Sequence, residues 1–292
     1  MTDVKVAETD DPYMFPYKGC NFPKNATSPE YLETLEDFEI RDSDVFLVTY
    51  PKSGTVWTQQ ILILMFANDN SGDYKSNFER MPWIEIQVPD LDVMNRPSPR
   101  LFSSHLPYYL APKGLKEKKG KVIYVLRNPK DTMVSYFHFS KMMLTLKTEN
   151  NIDDLLENYL SGDMVYGSWF EHVKGWFTHK DQLNCLFLSY EEMVKDLHSA
   201  VVKISKFMGK DLDDATIDMI VEKSTFKNMK NDPKANYEFF PDDVTDKKQG
   251  HFLRKGKVGD WKNTLTVAQN ERFNEVFQAK MKNVPLEIIW EL

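Results

Sequence analysis

The chain has 292 residues, 41% of them hydrophobic and 28% charged, with a formal net charge of −7. That length can bury a large core in one α/β domain or two smaller ones. The acidic balance excludes a protein built to coat nucleic acid, but not an anionic small ligand, which responds to the few charges around it. Two cysteines, Cys20 and Cys185, make neither a disulfide framework nor a paired metal motif, so a reducing, cytoplasmic setting is expected. Residues 1–11 lack a signal pattern, and the longest apolar run, residues 61–67, is too short to span a bilayer.

Residues 1–30, rich in Pro, Asn and Asp, are expected to form an irregular arm, and residues 31–292 a single domain. The β-branched and aromatic run 45–50 predicts a buried strand, followed by a turn over 51–54 and a helix over 55–66. A short strand is expected at 101–104, and a second apolar run, 121–126, ends at Arg127-Asn-Pro. Asn128 suits an N-cap and Pro129 a first helical position, with the helix running to about Leu146. Further helices are expected at 152–160, 163–178, 193–208, 213–223 and 266–281, with a strand at 184–189. Such alternation predicts an α/β fold with a central parallel sheet covered on both faces. Residues 228–260 carry Pro233, Pro241, Gly250, Gly256 and Gly259 among many charges and read as a long functional lid loop.

The segment Thr49-Tyr-Pro-Lys-Ser-Gly-Thr-Val-Trp57 is a strand feeding a Gly-containing turn and then a helix. That geometry gathers free backbone N–H groups and the positive helix end at one point, where Lys52 adds a charge and Thr55 a hydroxyl. The spacing is not that of the ordinary P-loop, so a Mg²⁺-holding hydroxyl after the lysine is missing. A second basic point is Arg127 at a strand end, with Ser135 about 12 Å further along a regular helix. Taken alone, the arginine reads more readily as a surface ion pair and the serine as a tolerated polar helix position. The third is Phe252-Leu-Arg-Lys-Gly256, where a glycine lets backbone and guanidinium approach one phosphate together; a solvated charge run is its plain alternative.

The three segments Tyr50-Pro-Lys-Ser-Gly-Thr-Val-Trp57, Arg127-Asn-Pro-Lys-Asp-Thr-Met-Val-Ser135 and Arg254-Lys-Gly-Lys-Val-Gly-Asp-Trp-Lys-Asn263 resemble, in order and spacing, the nucleotide-binding signatures of the cytosolic sulfotransferases. The whole sequence looks closest to their amine-sulfotransferase branch. The resemblance implies transfer of a sulfuryl group from 3'-phosphoadenosine-5'-phosphosulfate (PAPS), leaving PAP, without a metal. Lys52, Ser53, Gly54, Thr55, Val56 and Trp57 are then expected at the 5'-phosphosulfate, with Trp57 and Phe226 sandwiching adenine. Arg127, Ser135, Arg254, Lys255 and Gly256, with Phe252 and Leu253 beside them, are expected at the 3'-phosphate. Tyr190 and the run Ser224, Thr225, Phe226, Lys227, Asn228 and Met229 match adenine contacts. Val56 departs from the common pattern, which has a second threonine there.

The same resemblance makes His105, in Phe102-Ser-Ser-His-Leu-Pro107, the general base. An imidazole of ordinary pKa is mostly neutral at pH 7 and fit for that role. Lys52 is expected to act as electrophile, and Ser135 to restrain it until acceptor arrives. Ser103 stands where phenol-directed members often carry lysine, which argues against phenol preference. Trp83, Phe139 and Tyr237 are candidate pocket walls for a small, largely apolar acceptor (steroid, phenol, arylamine or other xenobiotic). Lys262, Thr266, Val267 and Glu271 match a short homodimerisation motif and also read as an ordinary helix start. Two other readings stay open on the residues alone: a nucleotide kinase or NTPase, and a non-enzymatic nucleotide or hormone binder.

Overall fold

The computed structural model describes residues 11–69, 72–89 and 91–292. Its strands are β1 (Met14–Tyr17), β2 (Cys20–Pro23), β3 (Val45–Thr49), β4 (Leu101–Ser104), β5 (Lys121–Leu126) and β6 (Cys185–Ser189). The first six helices are α1 (Pro29–Leu35), α2 (Thr55–Met65), α3 (Asn77–Arg80), α4 (Lys113–Lys116), α5 (Pro129–Met142) and α6 (Ile152–Ser161). There follow α7 (Trp169–His179), α8 (Tyr190–Lys195), α9 (Leu197–Met208), α10 (Asp214–Lys223), α11 (Phe226–Asn231) and α12 (Val267–Met281).

The last four strands form one parallel sheet in the order β4-β3-β5-β6. The continuous apolar runs of the two central strands, β3 and β5, are buried on both faces, as expected for strands inside an α/β sheet. Phe46, Val48, Phe102, Val122 and Tyr124 point to one side, toward Leu155, Trp169 and Phe273 of the helices there. Val45, Leu47, Leu101, Ile123 and Val125 point to the other, toward Ile61, Val201 and Ile220. The chain leaves β3 for β4 on one side and β5 on the other. The carboxyl ends of β3 and β5 therefore flank a crevice, the usual ligand position in open α/β sheets.

Four expectations need correction. Residues 1–30 are not wholly an irregular arm: β1 and β2 form an antiparallel hairpin. The turn is Lys18-Gly19, both with positive φ (46° and 82°), the conformation that suits a two-residue hairpin loop. Phe15, Tyr17 and Phe22 are buried in the main core, so apolar burial outweighs the irregular look of a Pro- and Lys-containing stretch. Helix α5 stops at Met142 rather than near Leu146, because the next residues pair with the 228–260 segment: Leu144 N–H donates to the Val244 carbonyl and Asp246 N–H to that of Met142 (3.0 and 2.8 Å). Helix α7 starts at Trp169, after positive-φ turns at Tyr166 and Gly167, with Ser168 as its cap. The helix expected over 193–208 is two, divided at Asp196, which caps the second.

Candidate active site

Three strands of the parallel sheet, β3, β5 and β4, each deliver a polar site residue past their carboxyl end. After β3 comes the phosphate-type turn. Lys52 and Gly54 both have positive φ, 69° and 103°, and a Cβ on Gly54 would lie 2.8 Å from the Tyr190 ring. A lysine in that region costs about 1–3 kcal/mol; here its carbonyl is held by the Arg127 guanidinium, Nη1 donating at 2.9 Å. Helix α2 begins at Thr55, so its first N–H groups and positive end face the crevice. The hydroxyls of Thr55 and Thr49 share a hydrogen bond of 2.7 Å. Trp57 Nε1 donates to the Ser224 carbonyl at 2.8 Å, and its ring meets Tyr190 edge-on at 5.3 Å.

After β5 comes Arg127, whose guanidinium lies over the Tyr190 ring at 4.2 Å. Its Nε is buried without a partner, as is the Ser53 hydroxyl. The basic segment 254–257 lies against Arg127, whose Nη2 donates to the Lys257 carbonyl at 3.3 Å. Gly256 has φ +63°, and a Cβ there would lie 2.5 Å from the Phe226 ring, so only glycine lets the backbone pass so close. Two carboxylates hold this segment. Asp131 on α5 accepts from the Gly259 and Trp261 N–H groups at 2.7 and 2.9 Å. Asp260 accepts from Arg254 Nη2 and Lys255 Nζ, each at 2.8 Å. Burial alone would raise the Asp260 pKa, but hydrogen bonds from Lys255, Arg254 and Asn263 outweigh it and hold the carboxyl well below its usual range.

After β4 comes His105. Its Nδ1–H donates to the Thr49 carbonyl at 2.7 Å, which leaves Nε2 with the lone pair. The imidazole packs between Trp83 and Tyr166, with ring centroids 5.8 and 5.1 Å away. Burial, with a further contribution from the Lys52 charge, pulls its pKa down to about 4; the ring is neutral at pH 7 and further from protonation than an exposed histidine. Lys52 is lowered to about 7 by burial, then by the charges of Arg127 and Arg254. Its ammonium lies over Phe139 and Phe252, 3.8 and 4.5 Å from their centroids. One cavity joins these groups: His105, Lys52, Arg127 and Arg254 all line it, with apolar walls from Trp83, Phe139, Tyr237, Phe240 and Ile86.

A sulfotransferase domain model matches residues 42–285. The chain belongs to the sulfotransferase family. The amine sulfotransferase of Oryctolagus cuniculus is 50% identical over 284 residues, covering 96% of this chain and 94% of that protein. Sulfotransferase 2A1 of Homo sapiens is 42% identical, covering 94% and 98%. Among solved structures, mouse sulfotransferase SULT7A1 complexed with PAP aligns with a TM-score of 0.79 at 36% identity, covering 93% and 95%. Retinol dehydratase in a complex with retinol and PAP aligns at 0.80 with 25% identity, covering 94% and 91%.

This sulfotransferase brings most of the expected residues to one cavity: Lys52, Gly54, Thr55, Val56 and Trp57 from the turn and the start of α2, Arg127 and Tyr190 from the ends of β5 and β6, Ser135 from α5, Phe226 and Met229 from α11, and Phe252, Leu253, Arg254, Lys255 and Gly256 from the basic segment. Trp83, Phe139 and Tyr237 line the same cavity, with Phe139 beside the Lys52 ammonium. Ser53, Ser103, Ser224, Thr225, Lys227 and Asn228 are not on the wall. Ser103 is fully buried in β4, its hydroxyl accepting from Gln59 Nε2 at 2.7 Å. Gln59 in turn accepts from the Tyr237 hydroxyl at 2.6 Å, so Ser103 sits one residue behind the cavity wall. Thr225 caps α11, Asn228 Nδ2 bonds the Glu222 carbonyl, and Lys227 points to solvent. No hydrogen bond joins Lys52 to Ser135; aromatic faces hold the ammonium instead. Residues 228–260 open with the end of α11, and Met229, Ala235 and Tyr237 anchor them in a buried cluster.

Sequence reasoning missed the supporting carboxylates Glu85, Asp131, Glu191 and Asp260, and His172, whose Nε2 donates to the His105 carbonyl at 3.2 Å. The signal for Glu85 was present: a charge inside Trp83-Ile-Glu-Ile86 is out of place in an apolar run.

Proposed function

We propose that this sulfotransferase moves a sulfuryl group from PAPS to a hydroxyl or uncharged amine of a small, largely apolar acceptor, with His105 as general base. The observation that carries this reading is one cavity with a cationic, N–H-rich end and an aromatic end, and a neutral imidazole between them. The residues fit a bisphosphate nucleotide. The unpartnered Arg127 Nε is a buried polar group of a residue on the cavity wall, and the Gly54 and Gly256 backbones lie where a Cβ would collide with a ring. Lys52, Thr55 and the α2 N-terminus form the 5' end of the cradle, and Arg127, Ser135, Arg254, Lys255 and Gly256 the 3' end. Trp57, Tyr190 and Phe226 supply the aromatic faces for adenine.

PAPS, when bound, supplies an activated sulfuryl group on a phosphate leaving group. His105 Nε2 takes the acceptor's proton. An anion held beside it by Lys52 opposes the effect of burial and raises its basicity. Lys52 places positive charge where negative charge builds, and the cradle contributes by position and electrostatics, as in phosphoryl transfer. No aspartate or glutamate lines the cavity among the described residues, which favours acceptors without a cationic group. Relatives named for amines and for hydroxysteroids agree with that class. Residues 228–260 serve as the lid over the acceptor. The test is turnover with labelled PAPS against a phenol, a 3β-hydroxysteroid, an arylamine and a catecholamine. The arylamine or the steroid is expected to lead; tight binding of Mg-ATP with no binding of PAP would instead favour a kinase or NTPase.

The two cysteines are unpaired, which supports a cytoplasmic enzyme; no helix among the described residues is long and apolar enough to cross a membrane. A homodimer is supported by Val267, 74% exposed at the first turn of α12. It stands between Lys262, which pairs with Glu291, and the exposed Glu271. Thr266 meanwhile caps α12 in a capping box with Gln269, so both readings of this segment coexist. Val267→Glu is expected to shift the enzyme to monomer in sedimentation equilibrium with Tm unchanged; a persisting dimer would place the interface elsewhere.

A further inference from the structure

The segment 81–87 runs beside β4 like a short extra strand. Trp83 and Ser103 form a parallel bridge, Ser103 N–H donating to the Pro82 carbonyl at 2.8 Å and Ile84 N–H to the Ser103 carbonyl at 2.9 Å. The next bond of a parallel ladder would run from His105 N–H to the Ile84 carbonyl. That carbonyl instead accepts from the Tyr31 hydroxyl at 2.9 Å, and the Glu85 carboxyl takes its place: Oε1 accepts from His105 N–H at 2.6 Å. Glu85 is fully buried, and its Oε2 has no hydrogen-bond partner.

We propose that Glu85 is a positioning residue for His105, clamping the peptide that carries the base and linking it to the acceptor wall through Trp83 and Ile86. The proposal rests on His105 acting as the base. Three bonds fix that residue from separate elements: Glu85 at its N–H, His172 of α7 at its carbonyl (3.2 Å) and Thr49 of β3 at Nδ1 (2.7 Å). Only the Glu85 bond comes from a segment whose neighbouring side chains, Trp83 and Ile86, line the acceptor end of the cavity. An acceptor pressing on those walls therefore bears on the peptide of its own base. The groups around the carboxyl are the Tyr31 and Tyr166 phenols, the Cys20 thiol and the Ser104 hydroxyl. None of them is a cation. Burial raises the Glu85 pKa to about 7, so the clamp works through its oxygen acceptor and not through a fixed charge. Glutamine offers the same oxygen at the same reach, and aspartate, one methylene shorter, does not.

The test compares Glu85→Gln, Glu85→Asp and Glu85→Ala in the full chain, measuring kcat, KM for acceptor, Kd for PAP and Tm. Glu85→Gln is expected to keep kcat within a small factor of the parent. Glu85→Asp and Glu85→Ala are expected to lose about 10²-fold in kcat, the effect of a base displaced by an ångström, with Kd for PAP unchanged. Glu85→Gln as inactive as Glu85→Ala at normal Tm would overturn the proposal in favour of a charge effect, and full kcat in Glu85→Asp would overturn it outright. If Glu85→Ala does not fold, the Gln and Asp pair still decides. Absence of turnover in the parent, in the same assay, would count against the proposed function instead.

Discussion

Exchange of His105 for alanine is expected to lower kcat by about 10²–10⁴-fold while PAP binding stays close to that of the unaltered enzyme. The separation follows from geometry. His105 leaves β4 and bonds Thr49 at the end of β3, so its ring reaches the cavity between Trp83 and Tyr166. The anion-binding groups come from the β3 turn, β5 and the 254–257 segment, and none of them is held by the imidazole. Nor does a neighbour stand ready to replace it. Lys52 is kept protonated by the negative charge of a donor bound beside it, the Glu85 carboxyl is occupied at the His105 backbone, and the Tyr166 phenol is pushed well above its ordinary pKa by burial. Steady-state turnover with labelled PAPS and equilibrium binding of PAP, measured on the same preparation, check both halves. Retained turnover would mean that another group removes the acceptor's proton.

Much of this site was legible in the sequence, for reasons that differ by residue. The runs at 45–50 and 121–126 are short, continuous and β-branched, a pattern that few structures besides a doubly covered strand can use. Each ends in residues that are costly anywhere except at a strand-to-helix turn, namely Gly54 and the Asn128-Pro129 pair. The hairpin at 14–23 was hidden because Pro16, Lys18 and Pro23 break the alternation that marks strands, and its stability comes from distant aromatic partners such as Tyr166, 5.7 Å from Phe22. The supporting shell was hidden for the same reason on a larger scale. Glu85 lies 20 residues from His105, His172 lies 67, and Asp131 lies 128 from Gly259. A carboxylate on a helix reads as solvated until the fold shows which backbone N–H it covers. Glu191 shows this most clearly: its sequence context is an ordinary acidic first turn, yet it accepts from Asn128 N–H at 2.9 Å and is raised to about 7, chiefly by burial.

Lys52→Met is expected to cost about 10²–10³-fold in kcat, the scale of removing one preorganised charge at the reacting centre, and to change how PAP binding depends on pH. In the free protein the ammonium is lowered to about 7, by burial first and then by Arg127 and Arg254. A phosphate bound beside it reverses the balance, because an opposite charge favours the protonated form. Binding above pH 7 therefore takes up a proton. The Kd for PAP should rise with pH, by about tenfold per unit between the free and bound pKa values of Lys52. Below pH 7 the lysine is already charged and that dependence disappears. Glu191 acts in the same direction on a smaller scale, since its ionisation near 7 offsets part of the Arg127 charge. Methionine keeps the apolar stem against Phe139 and Phe252 and removes the proton site, so the steep limb should be lost and a shallow one remain. Calorimetric titrations of PAP from pH 6 to 9 in buffers of different ionisation enthalpy would measure the proton uptake directly. An equally steep limb in the variant would assign the titration to another group. A flat profile in the parent would mean that Lys52 stays protonated throughout, with the Phe139 and Phe252 faces stabilising its charge more than burial destabilises it.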